Sequence, residues 1–374
     1  MIVVKQRHVL VTGAHGFIGK NLICRLNESL DNVVMSFGRN NNQAELIQFV
    51  NRADIVVHMA GENRPSDENQ FSLVNMGLTK TLCEAIKNTG RKIPVIFASS
   101  TQVKKNNPYG NTKLAAEDLL KDLHYDTATP ISIYRLPGVF GKWCKPNYNS
   151  VVATFCHNIS RDLPLTIDKE DLSLNLVYVD DVVEAFLKNI DSPKIGIEYS
   201  DIQPLYEIKL GELASQITNF KQCRKNLMIE RVGSGFLRAL YSTYLSYLGP
   251  DKFSYDLTSH ADERGMFVEV LKTPDTGQFS FLTVQPGVTR GSHYHHTKTE
   301  KFLVVSGEVK MKFRHLISGE THQIFLSKDK YQVVDTIPGW AHDITNIGQE
   351  VAVVILWANE VYDPQNEDCI TCKV

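Results

Sequence analysis

No stretch of this 374-residue sequence reaches the ~20 consecutive apolar residues of a membrane-spanning helix. Its beginning, MIVVKQRHVLVTG, lacks the apolar region and cleavage site of a secretory leader. Neither sign of charge is in excess. Lys and Arg number 40 and Asp and Glu 42, with no long basic run, so electrostatics favour no nucleic-acid partner and the reading includes no membrane partner. Cysteine is sparse and odd in number, seven scattered residues, which argues against a disulfide framework and fits reduced thiols in the cytoplasm. Cys369 and Cys372 form a CxxC near the end. A redox role would need a helix N-terminus to lower a thiolate pKa, and the spacing reads as coincidence. The hydrophobic share of 43% is ordinary for a globular protein, and the length calls for more than one core.

The run His8–Thr12 (HVLVT) is β-branched and apolar and reads as a buried parallel strand. GAHGFIG follows, then KNLICRLNESL, whose Leu22, Ile23, Leu26 and Leu30 fall at helical spacing. Strand, glycine turn and helix together make a dinucleotide site credible. Gly13 permits the tight turn, Gly16 lets a pyrophosphate approach the backbone, and Gly19 lets helix and strand pack closely. Phe17 and Ile18 open the helix whose free N–H groups would meet phosphate. A second strand, Asn32–Phe37, ends in Gly38-Arg39 with no acidic residue. An arginine there suits a 2′-phosphate, so NADPH is expected before NADH. Further strands are expected at Asp54–Met59, running into Ala60-Gly61, and at Pro94–Ser99, with helical patterns such as LVNMGLTKTLCEAIKN between them. Alternation of this kind implies a doubly wound, Rossmann-type α/β parallel sheet.

After the fourth strand comes SSTQVKKNNPYGNTKLAAEDLL. Tyr109 and Lys113 lie four apart on a helical pattern and so share a face. A free phenol titrates near ~10, and a neighbouring ammonium favours its ionised form. Ser100 at the strand end, or Thr101 beside it, could hydrogen-bond a substrate oxygen. Together they suit proton transfer to a carbonyl oxygen while hydride moves at carbon. GAHGFIG, HMAG, SSTQ, YGNTK and LVYVDDVVEAF resemble the nucleotide-sugar branch of the extended short-chain dehydrogenase/reductase family, over residues 8–240. The resemblance implies Ser100, Tyr109 and Lys113 as the catalytic set, with Lys113 also touching the cofactor. It further implies that KWCKPNYNSVVATF, after the YRLPGVFG turn, faces a nucleotide-sugar. Arg135, Lys142, Lys145, Asn147 and Tyr148 are the candidate substrate contacts. Only eight residues separate Ser100 from Tyr109, shorter than in most such enzymes.

Beyond Tyr241, STYLSYLGPDKFSYDL reads as an irregular connector. Short alternating runs then follow, QFSFLTV, KFLVVSGEVKMKFR, HQIFL, YQVVD and VAVVILWA, which argue for an all-β sandwich or barrel. His293 and His295 fall on one face of a strand, Glu300 follows, and His342 lies in a later run. These imidazoles and one carboxylate could hold a divalent metal with a position open. Zinc is preferred, with iron or manganese as alternatives. His296 points the other way. The spacing from Gly287 through His293, His295 and Glu300 to Gly307, with Gly339, His342 and Asn346, resembles the cupin family, although Pro338 sits directly before Gly339. A barrel with unmetallated histidines is the alternative. The expected organisation is a reductase domain at 1–245, a connector at 246–258 and a cupin barrel at 259–374.

The pairing suggests one substrate. A 4-ketone acidifies the hydrogen on C3, and a metal on its oxygen would favour loss of that proton. Reduction at C4 would then trap the inverted sugar. Lys301 and Tyr362 are candidates for the proton-transferring group. Over its whole length the chain resembles bifunctional enzymes of capsule and O-antigen synthesis. These epimerise C3 and reduce C4 of a UDP-4-keto-6-deoxy-2-acetamido sugar, giving UDP-2-acetamido-2,6-dideoxy-L-talose for UDP-N-acetyl-L-fucosamine. That resemblance implies NADPH, Zn²⁺, a UDP-sugar substrate and a homodimer. The alternatives are a reductase with a non-catalytic cupin dimerisation module, and a sugar-nucleotide-binding regulator.

Overall fold

The computed structural model describes residues 6–61, 76–365 and 368–374. The chain divides into two compact units, residues 1–217 with 239–248, and residues 218–238 with 249–374.

In the first unit the strands are β1 (Arg7–Thr12), β2 (Asn32–Phe37), β3 (Ile55–His58), β4 (Val95–Ser100), β5 (Ile131–Leu136), β6 (Gly138–Phe140), β7 (Ser173–Tyr178), β8 (Ile197–Ser200) and β9 (Tyr206–Lys209). Six of them form a sheet in the order β2-β1-β3-β4-β5-β8, and every pair in it is parallel. Strands β6, β7 and β9 make a small separate sheet. Its helices are α1 (Phe17–Leu26), α2 (Gln43–Arg52), α3 (Leu78–Asn88), α4 (Pro108–Thr127), α5 (Val151–Ser160) and α6 (Val179–Asp191), while α7 (Leu210–Asn226) and α8 (Gly235–Leu245) have residues in both units.

Side-chain alternation along the central strands explains the layering. Leu10, Val56, Phe97 and Ile133 pack against Leu46 and Val50 of α2, Leu82 and Ile86 of α3, and Leu120 of α4. Val9, Val11, Val57 and Ile96 face the opposite way, onto Leu22 and Leu26 of α1 and Val182 and Phe186 of α6. Both faces are therefore covered, as a parallel sheet requires. Two expectations need correction. The helix after the glycine turn stops at Leu26, so Leu30 is 89% exposed and joins no helical face. Ser242–Leu245 of the supposed connector complete α8, where Tyr244 is buried in the core. The first three residues of LVNMGLTKTLCEAIKN lie outside the described residues.

The second unit is built on β10 (Ser259–Asp262), β11 (Gly265–Thr273), β12 (Gly277–Val284), β13 (Thr289–Tyr294), β14 (Glu300–Ser306), β15 (Glu308–His315), β16 (Thr321–Ser327), β17 (Val333–Asp335), β18 (Trp340–Asn346), β19 (Ala352–Ala358) and β20 (Ile370–Thr371). They form two sheets, β10-β11-β12-β19-β14-β17 and β16-β15-β18-β13-β20. All pairings within them are antiparallel. Leu282, Phe302 and Val354 of the first sheet meet Val309, Met311 and Ile344 of the second in one core. This is sheet-on-sheet packing, with alternate residues of each strand turned inward. Strand β11 carries no hydrophobic run long enough to announce it, and burial along it is partial. Among the described residues no helix is long and apolar enough to cross a membrane, and all seven cysteines are free.

Candidate functional sites

The glycine turn joins β1 to α1. Gly13 has φ of +72°, and a Cβ there would lie 2.7 Å from the Ala60 nitrogen. A Cβ at Gly19 would lie 2.3 Å from the Gly13 carbonyl oxygen. Neither position accepts a side chain, so the backbone of α1 can approach β1 closely. The N-cap Gly16 supplies no side-chain acceptor, and the first N–H groups of the helix stay open to an anion. Phe17 and Ile18 begin that helix. The end of β3 is anchored beside it. Thr12 Oγ1 accepts from the Met59 and Ala60 nitrogens at 3.2 Å, and Thr12 and Thr79 flank the buried His58 ring at 2.7 and 2.9 Å. Burial, with the charge of Lys113, pulls His58 down to about 3. Ala60 and Gly61 follow at the strand end, and Arg39 stands exposed just past β2. These residues fit a dinucleotide.

Tyr109 and Lys113 project from the first turns of α4, which Asn107 caps by accepting from the Gly110 nitrogen at 2.8 Å. The Tyr109 phenol is hydrogen-bonded to Ser100, which is buried at the end of β4. Thr101 directs its hydroxyl at the Leu136 carbonyl, 3.5 Å away. The structure thus brings Ser100 to the tyrosine and sends Thr101 elsewhere. Lys113 is buried, donates to the Ala98 carbonyl at 2.9 Å, and lies 4.9 Å from the centre of the Phe97 ring. Burial pulls its pKa down from 10.5 to about 8, with Glu117 opposing the shift. Here the electrostatic expectation is corrected. Burial raises the Tyr109 phenol and the Ser100 hydrogen bond offsets this only in part.

A cavity of about 310 Å³ opens beside this group, lined by Thr101, Gln102, Lys105, Asn149, Ser150 and Asn175 among others. The five candidate substrate contacts do not line it. Arg135 donates to Glu117 from Nε at 3.0 Å and from a terminal nitrogen at 2.6 Å, so its guanidinium is engaged by a buried carboxylate. Lys142 pairs with Asp180 at 2.6 Å, and Lys145 lies over the Tyr148 ring. Asn147, with φ of +55°, turns the loop and donates its N–H to Thr154 Oγ1 at 2.9 Å. The sequence reading passed over Glu117, whose side chain is fully buried. Its spacing of four from Lys113 was the available signal.

In the second unit, β13 and β18 pair so that His293 lies directly opposite His342, which puts both rings on one face. A bulge at Ser292, with φ of +63°, sets this register. His295 follows on the same face, and Glu300 reaches the group from the other sheet. The ligand atoms of His293, His295, Glu300 and His342 all lie within 4.8 Å of one another. Glu300 Oε2 is 3.3 Å from His295 Nε2 and 3.4 Å from His342 Nε2. His293 Nε2 and His342 Nδ1 are buried without a hydrogen-bond partner. Orphaned nitrogens of this kind carry a cost that a cation would remove, so the residues fit a divalent metal. Burial and then the neighbouring His342 hold His293 down to about 4, a neutral ring. Burial would raise the Glu300 carboxyl, but hydrogen bonds from His295 and His342 and the charge of Lys298 hold it well below the ordinary carboxylate range.

A cavity of about 240 Å³ adjoins Glu300 and includes Glu269, Gln278, Lys298, Glu360 and Tyr362 in its lining. Lys301 points the other way and pairs with Asp335 at 2.6 Å, half exposed, because neighbours on a strand face opposite sides. It is thereby removed as a proton-transferring candidate, while Tyr362 lies in the right cavity. His296 is exposed.

Comparison with known proteins bears on both units. Residues 9–203 match the NAD dependent epimerase/dehydratase family, and residues 260–370 match the polysaccharide biosynthesis C-terminal domain. The UDP-2-acetamido-2,6-beta-L-arabino-hexul-4-ose reductase of Pseudomonas aeruginosa is 50% identical over 366 residues, 98% of each chain. The crystal structure of the capsular polysaccharide assembling protein CapF from Staphylococcus aureus is 40% identical. It superposes with a TM-score of 0.91 over 98% of this chain and 100% of that one. The UDP-glucuronic acid 4-epimerase of Bacillus cereus, in complex with NAD, shares the fold over 59% of this chain and 84% of its own, with 22% identity and a TM-score of 0.51. The chain belongs to the NAD dependent epimerase/dehydratase family and carries a polysaccharide biosynthesis C-terminal domain.

Proposed function

We propose that the chain is a two-step enzyme of capsular polysaccharide synthesis. Its second unit, read as a cupin barrel, inverts C3 of a UDP-2-acetamido-2,6-dideoxy-4-ulose. Its first unit then reduces the C4 ketone, giving a UDP-2-acetamido-2,6-dideoxy-L-talose. The observation that carries this reading is the presence in one chain of a Ser100–Tyr109–Lys113 site and a buried three-histidine, one-carboxylate cluster. The kinship to a hexul-4-ose reductase supports the substrate class.

When bound, a nicotinamide nucleotide supplies hydride to the carbonyl carbon. The Gly13–Gly19 turn holds its pyrophosphate, and the absence of an acid beside Arg39 favours NADPH. Tyr109 gives its phenolic proton to the C4 oxygen, and Ser100 donates a hydrogen bond to the same oxygen. Lys113, fixed by the Ala98 carbonyl, offsets the negative charge left on the phenol. When bound by His293, His295, Glu300 and His342, a divalent ion, with zinc the first choice, supplies a Lewis acid for the ketone. Lys298, Glu269, Glu360 and Tyr362 are the polar groups placed to move the C3 proton.

The test is oxidation of NADPH and NADH by the purified chain with UDP-4-keto sugars that do and do not carry a 2-acetamido group. Turnover with NADPH and the 2-acetamido-6-deoxy-4-ulose is expected. Turnover confined to NADH, or to 4-keto sugars without the 2-acetamido group, would refute the reading.

A further inference from the structure

We propose that Asp368 is a positioning residue for the histidine cluster, a claim that rests on the metal-centre reading above. It stands 73 residues beyond His295 in the sequence, yet its main-chain carbonyl accepts the hydrogen bond of His295 Nδ1. A carbonyl oxygen only accepts, so Nδ1 carries a proton, and Nε2, which meets Glu300 Oε2 at 3.3 Å, is the nitrogen whose lone pair would serve a bound ion. The ring's other nitrogen is thus fixed by this bond in both orientation and tautomer.

The Asp368 side chain braces the loop that follows His295. One carboxylate oxygen accepts the His296 N–H at 2.8 Å. The other accepts the Thr297 N–H at 2.8 Å, the Lys298 N–H at 2.9 Å and the Thr297 hydroxyl at 3.0 Å. Three successive N–H groups of an irregular segment therefore end on one carboxylate. That segment joins His295 to Glu300, two members of the cluster, and carries Lys298 into the adjoining cavity. Beyond Asp368 the chain pairs as β20 with β13, setting Thr371 opposite His293, and the Cys372 nitrogen donates to the Ser292 carbonyl at 2.8 Å. The C-terminal segment thus clasps the loop and strand bearing His293 and His295, and Asp368 is the point where side chain and main chain both engage.

The experiment compares the full chain with Asp368→Ala, Asp368→Asn and His342→Ala. Zn²⁺ affinity is measured by chelator competition, and the visible spectrum of the Co²⁺-loaded protein is recorded. Melting of the metal-free proteins serves as the folding control. Asp368→Ala should lose about 10–100-fold in Zn²⁺ affinity and broaden the Co²⁺ bands. Asp368→Asn keeps one acceptor oxygen and should fall between. Equal Zn²⁺ affinity in Asp368→Ala, Asp368→Asn and the unaltered chain, with His342→Ala weakened, overturns the role of Asp368 alone. Equal and weak binding by the unaltered chain and His342→Ala overturns the metal-centre reading and this inference with it. If Asp368→Ala does not fold, the Asp368→Asn comparison decides.

Discussion

Arg135 grips Glu117 through two hydrogen bonds of 2.6 and 3.0 Å, and Glu117 lies buried one turn beyond Lys113 on α4. Its carboxylate also accepts the Ser99 hydroxyl at 2.5 Å. Lys113 therefore shares its helix face with a buried negative charge that is itself neutralised from β5. Glu117→Ala would leave the guanidinium without its partner and should cost on the order of 3 kcal/mol in a denaturant melt. A loss below about 0.5 kcal/mol, the range of ordinary surface substitutions, would contradict this picture.

The same geometry makes a pH prediction. Lys113 titrates at about 8 in the folded chain against 10.5 ordinarily, so between those values the unfolded chain binds more protons and stability rises with pH. Function runs the opposite way, because the ammonium is present below pH 8 and lost above it. C4 reduction should fall as pH rises through about 8, as read from kcat/KM. Glu117→Gln removes the charge that favours the ammonium, so its alkaline limb should move to lower pH. An unmoved limb in a folded Glu117→Gln would be the contrary result.

Tyr109→Phe should lower the rate of C4 reduction by about 10²–10⁴-fold while NADPH still binds, measured by fluorescence titration. Ser100→Ala should also slow reduction, since Ser100 meets the phenol. Thr101→Ala should matter little, because its hydroxyl is turned to the Leu136 carbonyl. A larger loss in Thr101→Ala than in Ser100→Ala would reverse the assignment.

Gly19→Ala places a methyl 2.3 Å from the Gly13 carbonyl oxygen. Overpacking against backbone typically costs about 1–3 kcal/mol, and here it also pries α1 away from the glycine turn. A lower melting temperature together with weaker NADPH binding is expected. Unchanged NADPH affinity would show that the turn does not hold the pyrophosphate.

Much of this was legible in the sequence because period and spacing are local. Val9 and Val11 face one core and Leu10 the other, as a buried strand dictates. The spacing of His293, His295, Glu300 and His342 sufficed to anticipate a cluster within 4.8 Å. What stayed hidden depends on contacts distant in sequence. The pairing of Arg135 with Glu117 gave no signal because the two come from different elements. The Tyr109 phenol read as acidified because spacing shows that Lys113 is near, yet says nothing of the burial that raises the phenol. Asp368 gave no signal, since its hydrogen bonds span 70 residues or more. Leu30 misled because hydrophobic spacing continues past the point where the helix ends.

The central claim, that one chain both loosens the C3 hydrogen and reduces C4, is tested most directly in deuterated water. The purified protein is given NADPH and UDP-2-acetamido-2,6-dideoxy-4-ulose, and product deuterium at C3 is read by mass spectrometry and NMR beside the same reaction with His342→Ala. The account predicts one deuterium at C3 in the reduced product of the unaltered chain. It also predicts none from His342→Ala, which still oxidises NADPH when given a sugar already inverted at C3. Reduced product without deuterium from the unaltered chain, or equal deuterium from both proteins, would contradict it.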